Sequence, residues 1–119
     1  PNLRDEIIAT QKTNEGMSHI KRRMREGDPK VACFHEDAEG TLRFKERLVV
    51  PRREALKKKI LDEAHTLRYS IHPGSTKMYH DLRQQFWWTR MKREVARYVS
   101  ECDTCRKVKA DYMKPGGLL

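Results

Sequence analysis

Cysteine is scarce in this sequence: there are three residues, an odd number that cannot close a framework of paired disulfides. Two of them form Cys102-Asp103-Thr104-Cys105, a spacing more typical of metal binding than of a secreted scaffold. No apolar run is long enough to span a bilayer and no signal-peptide pattern is present, so the chain reads as an intracellular, reduced protein. No internal repeat or low-complexity tract interrupts it. With 119 residues there is room for one ordinary domain or two very small ones, which excludes a large catalytic fold.

What is present supports a small folded unit. Apolar residues make up 37% and charged residues 36%, enough for a thin core. Small domains bury a smaller fraction of their surface and often recruit a metal to reach stability. The formal net charge of +9 is unevenly placed. Residues 1–50 carry 10 basic and 9 acidic side chains, whereas residues 51–119 carry 16 and 8. Clustered positive charge favours a polyanion through counterion release, and nucleic acid is the common intracellular choice. A membrane surface is disfavoured, since no amphipathic helix carries a large apolar face.

Hydrophobic spacing predicts helices over 3–13 and 15–26, with Leu3, Ile7 and Ile8 on one inward face, Met17, Ile20 and Met24 on the other, and Asn14 as the cap between them. Gly27-Asp28-Pro29 ends this arm. Short apolar runs Val31–Phe34, Thr41–Phe44 and Arg47–Val50 then predict a small antiparallel sheet, closed by Pro51. Cys33 falls in the first run, where a buried thiol is the default expectation. A helix carrying Leu56, Ile60, Leu61 and Ala64 leads to His65 and is followed by an irregular stretch, Thr66–Gly74. Ser75 or Thr76 is expected to cap a second helix with Met78, Tyr79, Leu82 and Phe86 inward. Thr89 is expected to cap a third with Met91, Val95, Tyr98, Val99 and Cys102. Two helices joined by Gln85–Arg90 resemble a helix-turn-helix, and Phe86, Trp87 and Trp88 at their junction read as core. The expected class is α+β: a small antiparallel hairpin or sheet extension followed by a metal-stabilised three-helix, helix-turn-helix-like bundle. The expected divisions are a helical arm (1–29), a β extension (30–51), a metal-binding helical domain (52–110) and a linker (111–119) containing Pro115-Gly116-Gly117.

The chemistry-bearing pattern is His65, six residues, His72, twenty-nine residues, Cys102, two residues, Cys105. A Cys-x-x-Cys knuckle aims two thiolates at one point, and two histidines flanking a helix end can complete a tetrahedron. Four ligands leave no open coordination position, so the expected cofactor is one structural zinc ion. Such sites contribute roughly 10–16 kcal/mol of apparent binding free energy, which appears as folding free energy. A lone Cys-x-x-Cys also serves redox or plain structural roles, and the two histidines weigh for the metal. His19, His35 and His80 read as solvated.

These residues also resemble a known family. Ala64-His65, His72-Pro73-Gly74, Lys77-Met78-Tyr79, the aromatic pair ending at Trp88, Met91-Lys92, Val99, and Cys102-x-x-Cys105 followed by Lys109-Ala110 are similar to the His-His-Cys-Cys zinc domain of gypsy-type LTR retrotransposon integrases, plant elements in particular. The likeness extends through the Gly40–Pro51 hairpin, an N-terminal extension in that family, and to Pro115–Leu119, which resembles the lead into a catalytic core. The sequence departs from the pattern at Thr89-Arg90, where Pro-Gly is common, at Arg106, where Gln is common, and at Lys45-Glu46, where a glycine shapes the hairpin. The resemblance implies one part of an integrase polyprotein that inserts element cDNA into host chromosomes. It further implies a nuclear location with a cytoplasmic virus-like particle stage, self-association within an integrase assembly, and catalysis by a separate core. No catalytic residue is assigned in this chain.

The expected partner is double-stranded DNA, as element ends or target. On the third helix Arg90, Arg93, Glu94, Arg97 and Glu101 face outward. A purely solvated face would pair Arg90 with Glu94 and Arg97 with Glu101, each pair worth only a few tenths of a kcal/mol. Arg93 is left over in that scheme, and Arg106, Lys107 and Lys109 have few acidic neighbours, so these four are the expected DNA contacts. The rival reading is a domesticated, integrase-derived module for protein interaction or multimerisation.

Overall fold

The computed structural model describes residues 2–68 and 75–102. Its arm consists of α1 (Leu3–Thr13) and α2 (Glu15–Arg25). Asn2 caps α1 by accepting from the Asp5 amide at 2.8 Å, and Asn14 both ends α1 and caps α2 by accepting from the Met17 amide at 3.2 Å. Acidic residues in each first turn and basic residues in each last turn complement the helix dipoles. Gly27, at φ 74°, takes the left-handed conformation that commonly ends a helix.

Asp28 then caps a single 3-10 turn, Pro29–Val31, with proline at its start. This turn displaces the first strand. The expected run Val31–Phe34 is replaced by β1 (Phe34–Glu36), because Pro29 and the Asp28 cap commit Val31 to the turn. Cys33 consequently sits ahead of the strand and is exposed, not buried as expected. β2 (Leu42–Phe44) and β3 (Arg47–Val49) follow, each within a residue of the expected runs.

The sheet order is β1-β2-β3-β4, and the first three strands are antiparallel. The fourth, β4 (Phe86–Trp87), was not anticipated and runs parallel to β3, pairing Leu48 with Phe86 and Val49 with Trp87. Phe86 therefore belongs to a strand and not to the second helix. The bundle helices are α3 (Glu54–Arg68), α4 (Ser75–Leu82) and α5 (Met91–Ser100). α3 runs through Thr66, where irregular chain was expected. The connection between α4 and α5 contains a strand, so it is not the bare turn of a helix-turn-helix.

Cross-strand partners share a face of a sheet, and the two faces here serve two cores. Leu48 and Phe86 join Ile7, Leu56, Ile60, Leu61, Met78, Leu82, Trp88, Met91, Val95 and Val99 on the bundle side. Leu42, Val49, Phe34, Phe44 and Trp87 meet Met17, Ile20 and Met24 on the α2 side, where Phe44 and Trp87 stack at 4.5 Å. Full burial of such side chains stabilises by about 1.5–3 kcal/mol each. The buried amide of Gln11 joins arm to sheet: Nε2 donates to Leu42 O at 3.0 Å and Val49 O at 2.7 Å, and Oε1 accepts from the Leu42 amide at 2.8 Å.

Candidate metal centre on a parallel helix pair

Side-chain contacts join α3 to α5 and to the residue just past its end, and their order fixes how the helices run. Lys57 Nζ meets Glu94 Oε1 at 3.1 Å, Tyr98 Oη donates to Asp62 Oδ1 at 2.5 Å, and His65 Nε2 lies 3.2 Å from Cys102 Sγ. Both partners advance along the chain together, so the helices run in the same direction. Their first turns share one end, and His65 and Cys102 lie at the other.

His65 is carried on the apolar stripe of α3 and is buried, at 8% exposure. Cys102 lies just past the end of α5, where its amide donates to Val99 O at 3.2 Å. Nitrogen and sulfur ligands of a tetrahedral zinc, with bonds of about 2.0 and 2.3 Å, stand about 3.5 Å apart. The observed 3.2 Å approach across 37 residues of sequence is therefore close to a ligand edge, and the imidazole and thiol chemistry suits zinc. The other two expected ligands, His72 and Cys105, lie outside the described residues. Among the described residues no group of three or more potential ligands is gathered.

Beside this pair, the Tyr98 ring stands edge-on to His65, with centroids 5.5 Å apart and an interplanar angle of 84°. Asp62 holds the Tyr98 hydroxyl and is met by Lys58 Nζ at 2.9 Å. The hydroxyl first and the lysine second keep the Asp62 carboxyl below the usual carboxylate range. Sequence reading missed Tyr98 and Asp62 in this role, because nothing local links two residues 36 apart.

Of the expected DNA contacts, Arg93 is exposed on α5 and makes no ion pair among the described residues. Arg106, Lys107 and Lys109 lie outside them. Of the two pairs that a purely solvated face would make, Arg97–Glu101 forms at 3.1 Å, whereas Arg90–Glu94 is not among the ion pairs of the described residues. Glu94 turns inward instead, to the ammonium of Lys57 and to the indole of Trp88, whose Nε1 donates to Glu94 Oε1 at 3.0 Å. Lys57 retains only 5% side-chain exposure, and its burial was also missed, since a lysine within a basic run reads as solvated. The expected cap Thr89 is likewise corrected: Arg90 holds the N-cap position at φ 67°, without a side-chain cap bond, while the Met91 amide turns back to Trp88 O. Trp88 is buried, at 3% exposure, and Phe86 and Trp87 are partly buried, in keeping with a core role. His19, His35 and His80 are exposed. His35 Nε2 meets Lys45 O at 2.6 Å, and His19 Nδ1 meets an Arg22 nitrogen at 2.8 Å. No helix of the described residues is long and apolar enough to cross a membrane.

Comparison with known proteins agrees with this picture. Residues 52–111, which include α3, α4 and α5, match the sequence model of the integrase zinc binding domain. The chain is 29% identical over 69 residues to the Pro-Pol polyprotein of feline foamy virus, covering 58% of this chain and 6% of the polyprotein. It is 28% identical over 75 residues to the Transposon Tf2-3 polyprotein of Schizosaccharomyces pombe, covering 63% of this chain and 6% of that polyprotein. The matched segments are thus a small part of these relatives, and no solved structure matches. A zinc domain of integrase type accounts for the helical bundle, for the meeting of His65 and Cys102, and for the likeness read from the motifs: the chain belongs to the integrase zinc binding domain family.

Proposed function

We propose that this chain is the zinc-binding, DNA-binding and assembly module of a gypsy-type, plant-like LTR retrotransposon integrase, supporting insertion of element cDNA while a separate core performs the chemistry. The observation that carries the reading is the approach of His65 to Cys102 inside the segment that matches the integrase family. His65, His72, Cys102 and Cys105 hold one zinc ion. Bound there, zinc supplies a structural cross-link, because four protein ligands leave no position for water or substrate. The protein's own residues do the rest. Asp62 and Tyr98 steady the His65 ring, and Lys57, Glu94 and Trp88 fix the opposite end of the same helix pair.

Double-stranded DNA, as element ends or target, is the partner, and the charge excess of residues 51–119 supports it. Arg93, Arg106, Lys107 and Lys109 contact phosphates, and the module self-associates within a nuclear integrase assembly that passes through a cytoplasmic particle stage. The four segments 1–29, 30–51, 52–110 and 111–119 act as arm, β extension, zinc domain and linker. Metal analysis and duplex titration test the reading. One zinc per chain, lost with helix content in Cys102→Ser, together with salt-dependent duplex binding, is the expected result. A folded, metal-free protein refutes the zinc assignment. Zinc with no duplex binding favours the domesticated protein-interaction module.

A further inference from the structure

We infer that the shared N-terminal end of α3 and α5 is a duplex-phosphate contact surface built by Arg52, Arg53, Arg90, Lys92 and Arg93; this rests on the DNA-binding reading above and locates its contacts. Because the helices run in the same direction, the side chains that open both of them lie together. Residues 52–57 and 90–94 each carry three basic side chains against one acidic, while 58–65 and 95–102 are balanced. The net charge of the pair is therefore concentrated at one end. It is also turned outward: Arg52, Arg53, Arg90, Lys92 and Arg93 are all exposed, and none of them forms an ion pair among the described residues.

The two carboxylates at this end do not cancel that charge. Glu94 is drawn inward by Lys57 and the Trp88 indole, and Lys57 itself is buried. Glu54 is the only exposed acidic side chain in residues 52–57 and 90–94, and it lies 3.5 Å from the buried Lys57 ammonium. Folding does not explain the cations, since positive side chains in the first turn of a helix oppose the backbone dipole. Side-chain charge carries the proposal, and the dipole only shows that stability would be better served by acidic residues here.

The surroundings select the ligand. The other exposed residues at this end include Ala55, Thr89 and Ala96, whereas Trp88 and Met91 are buried at 3% and 4% exposure. Among the described residues at this end, no exposed aromatic ring offers a stacking platform for single-stranded bases, and no exposed apolar centre offers a protein interface. Arginines on two braced helices, the Lys57–Glu94 pair lying between them, suit the backbone of a duplex without reading its sequence.

The test titrates the full zinc-loaded chain with a fluorescent DNA duplex at several salt concentrations. The wild type is compared with Arg52→Gln/Arg53→Gln/Arg93→Gln and with Arg106→Gln/Lys107→Gln/Lys109→Gln. The first variant is expected to keep its zinc and helix content, to bind at least about tenfold more weakly, and to lose roughly 2–3 from the slope of log affinity against log salt, at about 0.9 per phosphate contact. It is also expected to unfold no more easily than the wild type. A wild type that binds duplex while the first variant binds with an unchanged slope overturns this location and leaves the DNA-binding reading standing. A wild type that fails to bind duplex at low salt overturns both, as does one that binds only single strands or an acidic protein.

Discussion

Trp88 donates its indole N–H to Glu94 Oε1 at 3.0 Å, and the same carboxylate receives the buried ammonium of Lys57 at 3.1 Å. One acidic side chain thus satisfies a core tryptophan and a core cation. Removing it strands the cation, and an unpartnered buried charge is far more costly than a deleted pair. Glu94→Ala is expected to lower stability by up to about 3 kcal/mol, moderated by the nearby Glu54, whereas Lys57→Met should stay within about 1 kcal/mol of the wild type. Urea unfolding of the zinc-loaded proteins measures both. Equal losses would show that the pair itself, and not the stranded charge, sets the energy.

Tyr98 and Asp62 are expected to tune zinc affinity without ligating. Side chains that orient a metal ligand typically change affinity by about 10–100-fold when removed. Tyr98→Leu deletes the ring beside His65 and should fall in that range, while Tyr98→Phe keeps the ring and loses only the link to Asp62, with a smaller effect. Competition with a chelator gives the affinities, and the absorption spectrum of the cobalt-substituted protein reports whether ligand geometry has shifted. Wild-type affinity and spectrum in Tyr98→Leu would remove the residue from the site.

Lys45 and Arg90 adopt φ of 54° and 67°, a left-handed conformation that costs a residue with a Cβ roughly 1–2 kcal/mol. Both stand at or beside positions where the sequence pattern of the resembled integrases has glycine, the residue that suits this conformation. Lys45→Gly and Arg90→Gly should each raise stability, by up to about 1 kcal/mol after the entropy glycine adds to the unfolded chain. Thermal melting detects the gain. A loss in either variant would mean that the side chain makes contacts outweighing the strain.

Asp37 gives the β1–β2 turn an acid-sensitive element. The Thr41 amide, then the Arg43 guanidinium, then the Glu39 amide hold its carboxyl below the usual value of 3.8, working against partial desolvation. A carboxylate with a depressed folded-state pKa stabilises the fold above its unfolded pKa, and that contribution disappears as pH falls through the lowered folded value. Asp37→Asn should therefore be less stable than the wild type at pH 6, and the deficit should shrink below about pH 4. Urea midpoints of both proteins across this range decide it; a pH-independent deficit would point to geometry alone.

Much of the helical framework was legible because its signals are local. Asn14 caps a helix through atoms three residues away, and the stripe Leu56, Ile60, Leu61 shows its period within one element. Spacing and likeness to the family make His65 and Cys102 candidate ligands, and the two side chains stand 3.2 Å apart in the structure. What escaped depends on distant partners. Phe86 and Trp87 are too short a run to announce a strand, and only β3 makes them one. Lys57 looks solvated until Glu94 is placed beside it. Arg90 gives no hint of a left-handed backbone by its own residue type, only through the glycine common there in the resembled family, and Cys33 is exposed because a turn set by Asp28 and Pro29 takes Val31 out of the first strand.

The parallel pairing of β3 with β4 has a consequence for what counts as one unit. The segment matching the integrase family begins at residue 52, yet the Leu48 amide donates to Gln85 O at 2.8 Å and the Val50 amide to Trp87 O at 2.9 Å, both across that line. The Arg47 guanidinium adds a bond from Nε to Phe86 O at 2.9 Å. The border of the family match and the border of cohesion therefore differ in this chain: the matched segment opens just ahead of α3, while part of the backbone pairing that holds the α4–α5 junction is lent by the hairpin before it.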